Sequence, residues 1–523
     1  MLTGSPQPNV GGESTGGLRL RFWSLIPLIG IGTGLGAGLL MRLLRAVEHL
    51  AWPAYRDNFL AAVQASSWTH RILIVLLGGV IVAALRLLLR EGTGGHSAEL
   101  VETIWFHAGR VATGRTLARA IVSIIVVGLG ASVGREAAPK QTGAVVASLL
   151  GRGAGLPPGQ RRLLVAYGAG AGMGAVYNIP FGGALFALEV LLGTLSLPLV
   201  APALATSLIA TAVAWLLLPQ HPTYDIPQYS VSASLMLWSL AIGPLAGVAG
   251  VAYVRLISWV DTLEPRSAFG LIVTPVLVFA ALGIIALPLP QLLGNGKDVV
   301  QLAFTGELAV VVLLLVTAFK PLATAACIGS GTPGGLFTPT LTLGAVLGAL
   351  GGKAWSLTGA TDPNGAYAVI GATAVLAAST QGPVSAIVMV LELTGHINTL
   401  MAPTMLAVAE AVLIARLLES RSVYSGRIRT GKTVAEQTHA YVPRISSAAR
   451  YVELLQVLLR MGREPQPLKV VDERGELLGE ISPERIRTPD PERLPLEIAT
   501  ARDFIDSPQA RAPGTDAARG VQS

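Results

Sequence analysis

Apolar stretches follow one another along most of the chain, from Phe22 to Leu418. A helix needs about 20 apolar residues to cross the hydrocarbon core of a bilayer. Six stretches are long enough to do so: 22–50, 70–90, 198–218, 235–258, 269–294 and 305–328. The pattern therefore predicts an all-α polytopic membrane protein.

A second set of apolar stretches is interrupted by Gly and Pro after roughly 10–16 residues, which is too short to span a bilayer. These stretches are 141–151, 161–176, 182–193, 338–350, 365–379 and 383–394. Short helices are tolerated at membrane depth only where their ends are buried in protein or face a wet cavity. Because broken helices are typical of transporters and channels, the pattern favours permeation over a receptor or an anchored enzyme.

The chain also contains an internal repeat. Segment 178–193, NIPFGGALFALEVLLG, matches segment 381–395, QGPVSAIVMVLELTG, with Pro and Glu at equivalent positions. Upstream, 142–151 matches 343–352 at nearly the same spacing. We expect an inverted repeat, which would place equivalent loops opposite each other near the membrane midplane.

Composition separates this membrane part from a tail. Only 13% of the residues are charged, against about 25% in soluble proteins, and the charges crowd into the segment from Arg427 onward. In the tail, LKVV and LLGEI flank a turn-forming Asp-Glu-Arg-Gly and predict a strand pair. We predict four regions: a flexible cytoplasmic leader over 1–21, a transmembrane domain over 22–426 with repeats at about 22–218 and 235–426, a small α+β cytoplasmic domain over 427–500, and a disordered tail over 501–523.

The net charge of +7 changes this picture little. The basic residues lie at the ends of apolar stretches, which is typical of loops at a membrane surface and not of a nucleic-acid interface. A single cysteine, Cys327, excludes a disulfide framework. The sequence indicates the lipid bilayer as the surroundings and no nucleic acid, metal or cofactor as a partner.

Candidate chemistry lies in three Gly-rich loops, 91–102, 128–143 and 328–344, each of which leads into an apolar helix. A buried helix start presents unpaired N–H groups and a partial positive charge, which suit an anion. Glycine lets the backbone approach the ion closely. A full Lys or Arg charge at such a site would hold a small anion too firmly for conduction. The loops predict an anion pathway.

These loops resemble those of one known family. VGREAAPKQTG (133–143) is similar to the GREGP loop of the CLC chloride channel and chloride/proton antiporter family, and GSGTPGGLFTPTL (329–341) to its GGxFxP loop. SVYSG (422–426) resembles the loop that carries the family's pore tyrosine. The resemblance covers about residues 20–430 and indicates a bacterial, channel-like member. It implies a duplicated antiparallel bundle of long tilted and short broken helices, forming a homodimer with one anion pore per subunit. The expected location is the cell (inner) membrane, with both termini cytoplasmic.

Carried over residue by residue, the resemblance places chloride on the backbone N–H groups of Leu336 and Phe337 and on the hydroxyl of Tyr424. Glu136 would be the external gate, because a carboxylate can occupy the anion's place between helix starts. Opening would then depend on external pH and on voltage. The alternative for a buried Glu beside an Arg is an ion pair. The residues expected to form the pore loops around these groups are Gly134, Arg135, Ala137, Gly334 and Gly335.

The first loop departs most from the family pattern. The family reads GSGxP and uses its serine on the anion, whereas this chain has Gly95 or His96 at that place, with Ser97 one step away. All three are candidate chloride-binding residues. His96 would either face the ion or lie at a membrane-surface turn, and the sequence leaves both open.

The second loop has Ala137-Ala138 where the family has Gly-Pro, so we expect a different local backbone, since alanine avoids positive φ. Lys140 follows, and we expect its ammonium to reach an aqueous surface. In the family, a residue at the position of Glu189 serves as a structural helix-end partner. Proton-coupled members carry a proton-transfer glutamate just after it, where this chain has Val190.

The sequence therefore predicts a voltage- and pH-sensitive chloride channel gated by a glutamate. A chloride/proton antiporter of the same family is the alternative, and a variant selective for fluoride or nitrate is a further one. The tail resembles one copy of a CBS motif, where nucleotide-binding versions use two. An intramembrane hydrolase would need a base near Ser330, and no histidine falls in a repeat-related apolar helix. We expect no enzymatic activity.

Overall fold

The computed structural model describes residues 20–89, 98–263, 265, 267–395 and 400–427, and within the tail 444–446, 454–455, 468–471, 477–487 and 501–504. The chain divides into two compact units, Met1–Ile428 and Arg429–Ser523. The helices described in the first unit are α1 (Leu20–Ala51), α2 (Phe59–Ala65), α3 (Trp68–Leu88), α4 (Ala98–Phe106), α5 (Thr113–Gly128), α6 (Ala137–Gly153), α7 (Pro158–Tyr177), α8 (Pro180–Leu185), α9 (Leu197–Ala214), α10 (Ala233–Thr262), α11 (Ala268–Ile285), α12 (Lys297–Thr305), α13 (Val310–Gly329), α14 (Phe337–Trp355), α15 (Asn364–Thr380), α16 (Pro383–Thr394) and α17 (Met401–Leu417).

Five helices in the described residues are long and apolar enough to cross a membrane: α1, α3, α9, α10 and α13. They coincide with five of the six long apolar stretches. The sixth stretch, 269–294, forms a shorter helix than its length suggests, because α11 ends at Ile285 ahead of Pro288. The residue before a proline avoids the helical region, so the apolar run outlasts the helix. The prediction of an all-α polytopic fold is confirmed.

The two halves pack their helices in equivalent pairs. In the first half α6 packs on α7 and α1 on α9, and in the second α14 packs on α15 and α10 on α17. Two further contacts join equivalent helices of the two halves, α3 with α11 and α8 with α16. A pseudo-two-fold relation between the halves produces this pattern. The prediction of a duplicated bundle is confirmed.

Two helices, α7 and α15, are enclosed on nearly every side. They are rich in Gly and Ala, and small residues let helix backbones approach closely inside a membrane. A Cβ added to Gly143 in α6 would overlap the carbonyl oxygen of Gly168 in α7, and one added to Gly344 in α14 would meet that of Gly371 in α15 at 2.6 Å. Equivalent glycines therefore set the spacing of the central helix pair in each half.

Carboxylates from each half bind the helix starts of the other. Glu189 accepts a hydrogen bond from the backbone N–H of Ser385 at 2.6 Å, at the start of α16. Glu392, its repeat partner, accepts one from the N–H of Gly182 at 2.6 Å, at the start of α8. A negative charge at a helix start satisfies unpaired N–H groups and the helix dipole. Glu189 thus lies at a helix end, as the sequence suggests.

The second unit contains a small three-stranded sheet. Its strands are β1 (Arg444–Ser446), β2 (Leu468–Val471) and β3 (Leu477–Ile481), in that order, and the helix α18 (Pro483–Arg487) follows. β1 runs parallel to β2, and β2 pairs antiparallel with β3. The last two strands are the predicted pair LKVV and LLGEI. The leader up to residue 19 and the stretch from 505 onward lie outside the described residues.

The crossing of α6 and α7 predicts a stability difference between two glycines of the same helix. Gly143→Ala should destabilise the protein by about 1–3 kcal/mol, because the new methyl group overlaps the backbone of α7. Gly153→Ala is the matched control, since nothing lies within 4 Å of its added Cβ. Thermal unfolding in detergent measures both. Equal midpoints for the two variants would contradict the close crossing.

Candidate functional site

Two of the Gly-rich loops meet at the centre of the first unit. The backbone N–H of Gly134 donates to the carbonyl oxygen of Gly335, and the N–H of Gly335 donates to that of Gly134, both at 2.7 Å. The two glycines form an isolated antiparallel bridge. The starts of α6 and α14 are thereby brought together, one from each half. The loops lie opposite each other, as an inverted repeat requires.

The side chain of Glu136 fills the space between these helix starts and is fully buried. Its Oε1 accepts a hydrogen bond from the backbone N–H of Phe337 at 2.7 Å. Its Oε2 accepts from the hydroxyls of Tyr177 and Thr338, each at 3.2 Å. These two hydroxyls are 2.6 Å apart. The carboxylate therefore lies at the start of α14, where backbone N–H groups and the helix dipole favour a negative charge.

The glycines of the bridge leave the room that this carboxylate needs. A Cβ added to Gly134 or to Gly335 would overlap the carboxyl oxygens of Glu136. At Gly334 an added Cβ would overlap the side chain of Val133. The requirement for glycine here comes from close approach, since none of the three has a positive φ.

A cavity of about 430 Å³ is lined in part by Arg135 and by Tyr177, the hydroxyl of which donates to the carboxylate. The guanidinium of Arg135 lies 5.1 Å from the ring centroid of Tyr177. An ion pair between Arg135 and Glu136 is not among the described contacts of the carboxylate. The cavity also carries charges of both signs on the side chains of Arg45, Glu48, Asp57, Lys297 and Asp298.

Tyr424 is buried, and its hydroxyl has no hydrogen-bond partner in the described part of the chain. Its ring packs edge-on against Phe186, with centroids 5.5 Å apart. The preceding N–H, of Val423, donates to the carbonyl oxygen of Ser379 at 2.7 Å and ties this loop to the end of α15. The phenol is thus held in place while its hydroxyl remains available.

Lys140 lies one helical turn after Glu136, and the prediction that it reaches an aqueous surface is wrong. Its side chain is buried, with a residue exposure of 5%. The Nζ atom lies 4.7 Å from the ring centroid of Tyr424 and 5.3 Å from that of Phe186. The spacing of four residues sets Lys140 on the same face of α6 as Glu136, and that face is covered by protein.

Other predicted positions are placed as follows. Leu336 is fully buried and directly precedes α14. Ala137 begins α6 and, like Ala138, has no positive φ, so the alanines that replace Gly-Pro fit an ordinary helix start. Gly95, His96 and Ser97 lie outside the described residues, and their role in binding stays a prediction.

Two further positions bear on the competing functions. Val190 is buried in a π-helical turn, Phe186–Leu191, that follows α8. The hydroxyl of Ser330 donates to the carbonyl oxygen of Cys327 at 2.7 Å. It also lies 3.0 Å from the hydroxyl of Thr332. Neither neighbour is a general base, so these contacts do not activate Ser330 as a nucleophile.

The structure adds residues that the sequence reasoning missed, namely Tyr177, Thr338 and Phe186. Thr338 directly follows Phe337, so the sequence alone could have indicated that it lies near the site. Tyr177 precedes the repeated NIPFGG segment, and nothing local distinguishes it from the apolar residues around it. Its contact with Glu136 depends on how α7 packs against the two loops.

Comparison with known proteins assigns the family. The family model described as voltage gated chloride channel matches residues 77–416. The chain belongs to the CLC family. Among relatives, a ClcB-like chloride channel protein of Ralstonia nicotianae is 32% identical over 416 residues, which are 76% of this chain and 94% of the relative. The voltage-gated ClC-type chloride channel ClcB of Escherichia coli is 30% identical over 379 residues, 70% of this chain and 88% of that protein.

Solved structures of the same fold are similar over most of the first unit. A slow cyanobacterial Cl−/H+ antiporter has a TM-score of 0.68 at 21% identity, covering 78% of this chain and 97% of its own. A CLC-type fluoride/proton antiporter has a TM-score of 0.62 at 20% identity, with the same coverage. These similarities establish the CLC fold. The protein is a multi-pass membrane protein of a chloride-transporting family.

The contact between Gly335 and Glu136 predicts a coupled pair of mutations. Gly335→Ala should push the carboxylate off the amide of Phe337 and destabilise the protein by about 1–3 kcal/mol, the cost of leaving buried polar groups unpaired. In a Glu136→Ala background the methyl group has room, so Gly335→Ala should cost much less. Thermal unfolding of the four proteins of this double-mutant cycle measures the coupling. Additive effects would contradict the contact.

Proposed function

We propose that this protein conducts chloride across the membrane through a pore in each subunit that the side chain of Glu136 closes. The observation that carries the proposal is the hydrogen bond from the N–H of Phe337 to the carboxylate, at 2.7 Å. A helix start that stabilises a carboxylate offers a chloride ion the same N–H donor and the same partial charge. The carboxylate and the anion therefore compete for one place.

Once the carboxylate leaves, chloride takes its position at the start of α14. The N–H groups of Leu336 and Phe337 donate to it, and the unpartnered hydroxyl of Tyr424 donates from the other side. Backbone donors with partial charges bind the ion firmly enough for entry and weakly enough for release. Tyr177 and Thr338 serve the carboxylate when the pore is closed, and their hydroxyls are available to an ion on its way past.

External pH and voltage act on this gate through the charge of Glu136. Protonation removes the negative charge that the start of α14 attracts, so the side chain leaves its place more readily at acidic pH. A chloride ion moving through the membrane field contributes about 2.3 kcal/mol per charge per 100 mV, which makes opening depend on voltage. The cavity beside Arg135 is the proposed route for protons and anions to the gate from outside.

Passive conduction is the first candidate because of Val190. Proton-coupled members of the family carry a glutamate at this position, and a valine side chain cannot transfer a proton. A chloride/proton antiporter is the second candidate. It is favoured by the similarity to the cyanobacterial Cl−/H+ antiporter and the fluoride/proton antiporter, whose described activities are coupled. Both candidates use Glu136, and they differ in whether protons cross with the anion.

The proposed assembly is a homodimer in the bacterial inner membrane, with a separate pore in each subunit and both termini in the cytoplasm. Large apolar side chains are exposed on the helices that join the two halves, Phe181 on α8 and Val384 on α16. Neighbouring α9 and α17 expose Leu208 and Met405. Such a surface suits lipid or an identical subunit, and the family resemblance favours the second for this face.

Replacing the gate tests the proposal. Glu136→Gln removes the charge while keeping the size of the side chain, so chloride flux into liposomes should become largely independent of external pH. The wild-type protein should show higher flux at acidic than at neutral pH. Glu392→Gln is a matched control, because it neutralises a carboxylate that binds a different helix start. A Glu136→Gln variant that keeps the wild-type pH dependence would refute the gating role.

The reversal potential separates the two candidates. In liposomes under a chloride gradient, a passive channel reverses at the chloride equilibrium potential, and an added pH gradient should leave this value unchanged. The reversal potential of a coupled antiporter would shift with the pH gradient. Planar-bilayer or dye-based voltage recordings of the wild-type protein make this measurement, and a shift would select the antiporter over the channel.

A further inference from the structure

A buried cation lies beside the proposed chloride site and has no role in the gate as described so far. The Nζ atom of Lys140 is within cation–π distance of both Tyr424 and Phe186, at 4.7 and 5.3 Å from their ring centroids. In the described part of the chain, the charged group that acts on this ammonium is the carboxylate of Glu136. The contacts shown for Nζ in that part of the chain are these two aromatic faces.

An ammonium group in this position lacks most of the partners that it has in water. Burying a charge is costly unless it is paired, and Lys carries three N–H donors that all seek an acceptor. Aromatic faces offset part of that cost. One of those rings also carries the hydroxyl of Tyr424, a buried donor without a partner in the described part of the chain. The ammonium of Lys140 and the unpartnered hydroxyl of Tyr424, the ring of which it contacts, make a place for an anion.

We propose that Lys140 is a cationic ligand of the transported anion and that it sets the preference of the site for small anions. The inference rests on the proposed function, since it takes the space between Glu136 and Tyr424 as the anion's path. It adds to the backbone donors a full charge from the side chain of α6.

A full positive charge in a conduction path raises the question of release. Glu136 and Lys140 are four residues apart on one helix, so the carboxylate lies within reach of the ammonium's field whenever it returns to the path. The carboxylate and the anion then alternate as the counter-charge of Lys140. Departure of one is compensated by arrival of the other, and the anion leaves without exposing an unpaired buried charge.

The same charge favours small anions over large ones. The attraction between a fixed cation and an anion falls with the distance between their centres, so chloride gains more from Lys140 than thiocyanate does. Neutral N–H and O–H donors discriminate less. A site that contains Lys140 should therefore select chloride more strongly than the same site without it.

The test compares Lys140→Met with the wild type and with the charge-retaining Lys140→Arg. Calorimetry in detergent should give a chloride Kd about tenfold or more weaker for Lys140→Met, as for the loss of a charged hydrogen-bond partner. In liposome flux with thiocyanate as competitor, the preference for chloride should fall. Lys140→Arg should stay near the wild type. Lys353→Met in the last turn of α14 is the matched control and should change neither quantity.

A Lys140→Met variant with the wild-type chloride Kd and the wild-type preference would overturn the inference. The proposed gate would survive that result if Glu136→Gln still abolished the pH dependence, so the two failures are distinguishable. Should Lys140→Met fail to fold, crystals of Glu136→Ala soaked in bromide provide the answer, because the carboxylate no longer competes for the site. An anomalous peak in contact with Nζ of Lys140 supports the inference, and a peak only elsewhere, or none, rejects it.

Discussion

A buried carboxylate is stable only where donors satisfy it, and the centre of this fold is arranged around such a group, Glu136. Glu136 keeps its place because the N–H of Phe337 and two hydroxyls, those of Tyr177 and Thr338, donate to it. None of these donors carries a full charge. A group held by partial charges can be exchanged for another with the same needs, and this exchange is the physical basis proposed for gating.

The remaining architecture brings two helix starts to that point. Glycines at 134 and 335 let the loops bridge and leave room for the carboxylate, and glycines at the central helix crossings let each half pack closely. Elsewhere, Glu189 and Glu392 bind helix starts across the two halves. The same interaction thus serves two purposes: Glu189 and Glu392 join the halves, and Glu136 occupies the candidate anion site.

Much of the fold could be predicted from the sequence, because hydrophobic period and length are local signals. One long apolar stretch extends beyond its helix, because α11 ends ahead of a proline. The order of the motifs was enough to predict the repeat. The candidate site contains Glu136 and Phe337, which are in contact, and the buried Tyr424, all three of which their motifs singled out. Tyr177 was missed and Lys140 was assigned to water, because their surroundings come from segments distant along the chain. Whether a lysine is buried depends on which segments pack against its face of the helix. The hydrophobic periodicity of the helix itself does not contain that information.

The competition between carboxylate and anion for the start of α14 is tested most directly by crystals of Glu136→Ala soaked in bromide. The account predicts an anomalous peak within hydrogen-bond distance of the N–H of Phe337, in the space that the carboxylate occupies in the wild-type protein. A Glu136→Ala structure in which that space holds no bromide, while the start of α14 keeps its position, would contradict it.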